Sequence, residues 1–189
     1  MTNVALIFGS FNPIHVGHLH LGDVILEKLP IDEVWYVVSP HNPHKDKSNL
    51  LDEKLRLEMV NHSIKDKPNF RSCDIELELD QPSYTYKTLY HLEKRVGKFY
   101  NFSIIMGSDV INNITSWKNY DEVIEYPIIS FVRDEVDICV GENLDVTILK
   151  SEIKLSSTLI RDKIKSGESL EGLLHTRVID YISENNLYV

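Results

Sequence analysis

Two histidines three residues apart, His15 and His18, stand behind a short apolar run and a proline turn. They belong to the stretch VALIFGSFNPIHVGHLHLGDVILEKL, residues 4–29. Residues 4–8 are long enough for a buried strand and too short for a helix. Gly9 and Ser10 end that run, and Pro13, which has no N–H to donate, makes Asn12-Pro13 a turn. From Gly17 onward Leu19, Leu21, Val24, Ile25 and Leu29 fall at mixed helical spacings. A strand that enters a tight loop and then a helix N-terminus aims backbone N–H groups and the positive end of a helix dipole at one spot, which suits phosphate. Imidazoles at that spot donate to phosphate oxygens, and Gly17 clears space for close approach. Two plainer readings stand beside this one. His15, His18 and His20 have a workable metal-ligand spacing, but no nearby cysteine or carboxylate pattern completes a site. They can also be ordinary surface or capping histidines.

Further along, other residues offer matching chemistry. Lys45 lies in the proline-stiffened SPHNPHK segment, residues 39–45, just past a second strand, and offers a point charge to phosphate. Read plainly, it is part of a solvated charge run. Ser83 can cap a helix running through Leu89, Leu92 and Val96, and Thr85 with nearby N–H groups can meet an anionic group there. Asp109, after the core strand at 101–106, can hold ribose hydroxyls or a magnesium-bound water, or simply cap a helix. Trp117, as a loop tryptophan, is more often a core anchor than a ligand platform. Ser156, Ser157 and Thr158 begin another helix that carries Arg161, whose planar fork fits a phosphate chain; the plain alternative is a capped helix with an exposed arginine. Arg56 and His62, on an amphipathic helix over 51–64, read as surface residues.

These residues need a scaffold. Strands at 4–8, 32–39, 70–79, 101–106, 127–132 and 145–149 alternate with helical patterns, and strand–helix–strand within the first 40 residues makes a βαβ unit with a parallel sheet. The expected fold is α/β, a Rossmann-like doubly wound sheet with a small helical C-terminal part, in one domain spanning 1–189. No GxGxxG follows the first strand, which disfavours a dinucleotide-dependent dehydrogenase. The net charge of −9 over 189 residues argues against wholesale nucleic-acid binding, though not against nucleotides, which need only a local basic site. Cys73 and Cys139 match no metal or redox spacing, and no apolar run is long enough to span a membrane. A cytoplasmic protein without membrane contact is expected. The acidic loop at 134–143 reads as solvated.

The motifs carry a resemblance. GSFNPIHVGH resembles the (T/H)xGH phosphate-binding signature of the nucleotidyltransferase superfamily. SPHNPHK, PSYTYKTL, the GSD and WKNYDE segments and SSTLIR are similar, in the same order, to those of bacterial nicotinate-nucleotide adenylyltransferases. The resemblance spans Gly9 to Arg161, and VIDYISENNLY looks like the family's closing helix. One departure is Lys87, where the family usually has aspartate. The resemblance implies transfer of an adenylyl group from ATP to nicotinate mononucleotide, releasing pyrophosphate, with Mg²⁺ carried by ATP and few or no direct protein metal ligands. It implies ATP binding by Gly9, Ser10, Phe11, His15, His18, Asp109, Ser156, Ser157, Thr158 and Arg161. The mononucleotide would meet Asn12, Lys45, Thr85, Trp117 and Lys118, and His15, His18, Lys45 and Arg161 would stabilise charge during transfer. The rival readings are a phosphopantetheine adenylyltransferase, which typically lacks the SPxNPxK and PSYT segments, and a non-catalytic nucleotide sensor on the same fold. Oligomeric state stays open.

Overall fold

The structure, a computed structural model, describes residues 1–41, 50–132, 144–150 and 155–189. The apolar and β-branched runs form β1 (Thr2–Gly9), β2 (Glu33–Val38), β3 (Phe70–Cys73), β4 (Tyr100–Gly107), β5 (Ile128–Val132) and β6 (Val146–Lys150). The helices among the described residues are α1 (Val16–Lys28), α2 (Glu53–Ile64), α3 (Thr85–Val96), α4 (Ser108–Ile111), α5 (Tyr120–Val123), α6 (Ser157–Ser166) and α7 (Thr176–Glu184).

All six strands pair in parallel, in the order β3-β2-β1-β4-β5-β6. β1 sits in the middle, with Val4 beside Glu33 of β2 on one side and Phe102 of β4 on the other. The chain steps outward from β1 to β3, then crosses back to β4 and steps outward the other way. That reversal leaves a crevice beyond the carboxyl ends of β1 and β4, where open α/β sheets bind ligands. This is the doubly wound parallel sheet that the βαβ pattern implied.

Period-two alternation divides the core into two layers. Ala5, Ile7, Tyr36, Val38 and Ile105 face one side, under Ile25 of α1, Met59 and Val60 of α2, and Val178 and Ile182 of α7. Val4, Leu6, Trp35, Val37, Phe102 and Ile104 face the other, under Leu89 and Leu92 of α3. Because both faces are covered, β1 reads as a continuous apolar run rather than an alternating one.

Two local expectations differ from the structure. The strand expected over 70–79 stops at Cys73, and Ile75–Glu78 forms a 3₁₀ turn. Ile75 and its neighbour Glu76 are both buried, an arrangement that a strand with one solvated face cannot give to consecutive residues. The amphipathic helix begins at Glu53 rather than 51, because the Asp52 carboxylate accepts from the Lys54 amide at 2.9 Å and caps it there. Gly167 ends α6 in the left-handed region, φ 69°, as a C-terminal glycine should. Cys73 is a buried free thiol, pushed up to about 11 by its burial. Among the described residues no helix is long and apolar enough to cross a membrane.

Candidate active site

A cavity of about 360 Å³ occupies the crevice between β1 and β4. His15, Gly17 and His18 line it from the start of α1, Thr85 from the start of α3, and Asp109 and Trp117 from the segment after β4. The sheet thus brings to one place residues that are about a hundred positions apart in the chain.

The two histidines are held as a unit. His15 is 4% exposed, and its ring stacks on that of His18 with centroids 3.7 Å apart. The His15 amide donates to His18 Nδ1 at 3.2 Å, so in the neutral imidazole the proton belongs on Nε2, a donor for a ligand. Phe11 braces the pair from below. Its ring meets His18 edge-on at 5.2 Å, and its backbone turns left-handed, φ 45°. A Cβ at Gly9 would come within 2.8 Å of that ring, so only glycine leaves Phe11 its place. Phe11 is 2% exposed, so its ring supports the histidines from within the core.

The start of α6 docks on the same loop. Ser156 caps the helix by accepting from the Leu159 amide at 3.3 Å. Ser157 Oγ donates to the Pro13 carbonyl at 2.9 Å. Arg161 donates through Nη1 to the Asn12 carbonyl at 2.9 Å and through Nη2 to Thr158 Oγ1 at 3.3 Å. The amide oxygen of Asn12 accepts from the Leu51 amide and from the Tyr188 hydroxyl, at 3.3 and 2.9 Å. Two helix N-termini, those of α1 and α6, therefore converge on residues 9–16 with Arg161 beside them, an arrangement able to receive an anionic chain.

On the other side of the cavity the N-cap of α3 is Tyr84, with no side-chain cap. Ser83, expected as that cap, is instead tied through its amide to the His41 carbonyl at 3.0 Å, and its hydroxyl is buried. Lys87 lies in a first turn without acidic residues, where its ammonium sits 6.0 Å from the centre of the Tyr84 ring; Lys118 approaches the same ring at 5.0 Å. Trp117 is half-buried at the cavity wall, and Lys118 is exposed. Asp109 is exposed at the start of α4, and a Cβ at Gly107 would meet its carboxylate at 2.5 Å. Lys45 and the acidic loop at 134–143 lie outside the described residues.

Two residues at the site escaped the sequence reading. Arg56, taken for a surface residue, is fully buried. It donates to the carbonyls of Ser10 (2.5 Å), Ser39 (2.8 Å), Leu51 (2.9 Å) and Pro40 (3.2 Å), joining the ends of β1 and β2. Burial lowers its pKa, while Glu53, Tyr188 and Asp52 act against the fall, and the guanidinium stays charged. Glu76, 2% exposed, lines the cavity. One carboxylate oxygen accepts from Thr88 Oγ1 at 2.7 Å; the Ser39 and Ser83 hydroxyls face the group, yet the second oxygen makes no hydrogen bond of ordinary geometry. Burial raises its pKa, with these hydroxyls working in the opposite direction.

The cytidylyltransferase-like family matches residues 6–163 of the chain. A Flavobacterium psychrophilum protein named probable nicotinate-nucleotide adenylyltransferase is 40% identical over 192 residues, covering 98% of each chain. A Cytophaga hutchinsonii protein of the same name is 37% identical, covering 98% of this chain and 97% of that one. The chain belongs to the nicotinate-nucleotide adenylyltransferase family. Its fold is also that of a solved Plasmodium falciparum nicotinic acid mononucleotide adenylyltransferase complexed with NaAD, with a TM-score of 0.80 at 23% identity over 100% of this chain and 98% of the other. In this member of the family, the buried Arg56 is the support under the first loop.

Two outcomes follow. Arg56→Met leaves four carbonyls without their donor, and urea denaturation should show a loss of about 3 kcal/mol; wild-type stability would contradict the role given to Arg56. Glu76 has a folded pKa above its unfolded value. Its contribution is therefore most favourable at low pH and weakens as pH rises through the folded pKa. Unfolding of Glu76→Gln and wild type, compared from about pH 4 to about pH 8, should shift progressively in favour of the variant. A constant difference would mean that the carboxyl is not perturbed.

Proposed function

We propose that this chain joins ATP and nicotinate mononucleotide to give nicotinate adenine dinucleotide and pyrophosphate, the adenylyl step of NAD biosynthesis. It does so as a single nucleotidyltransferase domain spanning 1–189. The observation that carries the reading is the convergence of the stacked His15–His18 pair and the Ser156–Arg161 helix start on one loop at the switch point of the sheet.

A 5′-phosphate oxygen of the mononucleotide attacks the α-phosphorus of ATP. A P–O bond forms there, the bond to the bridging oxygen breaks, and its electron pair leaves on pyrophosphate. The attacking phosphate is already ionised near neutral pH, so no general base is needed. Catalysis is positioning together with stabilisation of charge on the transferring and leaving phosphates. His15 and His18 donate to the ATP phosphates, supported by the N-terminus of α1. Gly9, Ser10 and the backbone of Phe11 shape the approach, and Asp109 holds the adenosine ribose. Ser156, Ser157, Thr158 and Arg161 hold the β- and γ-phosphates; Arg161 exchanges one of its present bonds for the ligand or uses its remaining N–H groups. Asn12, Thr85, Trp117 and Lys118 receive the mononucleotide, and Lys45 balances charge between the substrates. ATP would enter as its magnesium complex, with few or no direct ligands from the protein, and the ion would neutralise phosphate charge. The acidic overall charge, the reduced-cysteine pattern and the anionic substrates support a cytoplasmic setting without nucleic-acid or membrane partners.

Pyrophosphate release with MgATP and, in parallel, nicotinate mononucleotide, nicotinamide mononucleotide or 4′-phosphopantetheine tests the reading. Nicotinate mononucleotide should be the preferred acceptor, and His18→Ala should lower kcat roughly 100-fold with a smaller change in the KM for ATP. Turnover with phosphopantetheine alone, or wild-type kcat in the variant, would overturn it.

A further inference from the structure

We propose that Tyr188, at the far end of the chain, is a positioning residue for adenylyl transfer: its hydroxyl fixes Asn12 and, through Asn12, the loop that presents His15 and His18. This rests on the function proposed above.

The C-terminal segment grips residues 12–16 at four points. Arg161 donates to the Asn12 carbonyl and Ser157 to the Pro13 carbonyl, each at 2.9 Å. The Val16 amide, at the first position of α1 where no intrahelical acceptor exists, donates to the Leu173 carbonyl at 3.0 Å. Tyr188 donates to Asn12 Oδ1 at 2.9 Å. Of these four bonds the last is the one made to a side chain. Asn12 is 6% exposed, and the same oxygen also accepts the Leu51 amide at 3.3 Å, just before α2. Both lone pairs of one amide oxygen are thus used to join the phosphate loop, the entry to α2 and the tail.

The tail is shaped for this reach. Leu187 is buried in the core, and its amide donates to the Ile182 carbonyl at 3.0 Å. Tyr188 then turns left-handed, φ 67°, a conformation that a tyrosine adopts only when its surroundings impose it. The phenol lies close to both Arg56 and Arg161. Its burial raises the hydroxyl's pKa, which keeps it a donor throughout the neutral range. A reacting geometry loses rate steeply when a contact group shifts by a fraction of an ångström, so freeing Asn12 acts on kcat more than on substrate affinity.

Tyr188→Phe keeps the ring and the Leu187 anchor and removes only the hydroxyl. It should lower kcat about tenfold with the KM for ATP nearly unchanged. In an Asn12→Ala background it should cause no further loss in kcat, because the path from Tyr188 runs through Asn12. Hydrogen exchange should quicken at the amides of residues 12 and 14–18 and stay as it is in β4. Wild-type kcat in Tyr188→Phe, equal fractional losses in both backgrounds, or unchanged exchange at 12–18 would each overturn the proposal. If the wild-type protein fails to join ATP and nicotinate mononucleotide while Tyr188→Phe still quickens exchange at 12–18, the latch stands and the assigned reaction falls.

Discussion

The backbone between Gly9 and Val16 has left the β1 ladder and has not yet entered α1, so its polar groups must be satisfied by something else. That requirement shapes the rest of the site. Arg56 reaches the Ser10 carbonyl from beneath the sheet's edge, and Ser157 and Arg161 reach the Pro13 and Asn12 carbonyls from the C-terminal side. The donors lie 46, 144 and 149 residues from their acceptors. The loop between β1 and α1 therefore acquires its shape only when α2 and α6 have both docked. A guanidinium that donates to several carbonyls suits this task, since it has five N–H groups in a fixed plane and no hydrogen-bond acceptor of its own to satisfy.

The same arrangement reconciles an acidic protein with anionic substrates. The net charge of −9 belongs to the whole molecule, while the starts of α1 and α3 and two imidazoles line the crevice, and the start of α6 with Arg161 docks on the adjoining loop at Asn12–Pro13. Helix termini and imidazoles contribute donors at fixed positions, and their local effect does not depend on the distant surface charge, which salt screens over about 8–10 Å. Glu76 and Asp109 at the cavity wall set an opposite sign beside these donors. Glu76 is buried, and that burial raises its pKa, whereas Asp109 is exposed.

Most of this architecture was legible in the sequence, because strand–helix alternation and covered faces write themselves as apolar runs. The 4–29 stretch gave away the strand, the turn and the helix in order. Arg56 reads as a surface residue because an arginine is ordinarily solvated. Yet it stands three and four positions before Met59 and Val60, on the stripe that α2 buries. Glu76 was hidden by the apparent alternation of Ile75, Leu77 and Leu79, which suits a strand and a 3₁₀ turn equally over so few residues. Ser83 looked like a cap by type, but the His41 carbonyl holds its amide and the helix starts one residue later. The Asn12–Tyr188 pair could not be read at all: a contact across 176 residues between two polar side chains leaves no local pattern.

The most direct measurement of the central claim follows the α-phosphorus itself. Protein incubated with α-³²P-labelled MgATP and nicotinate mononucleotide should place the label in the dinucleotide, with none retained on the denatured protein, as a single in-line transfer from ATP to the mononucleotide requires. Label bound to the protein, or released as AMP while the mononucleotide is unchanged, would contradict that account of the site.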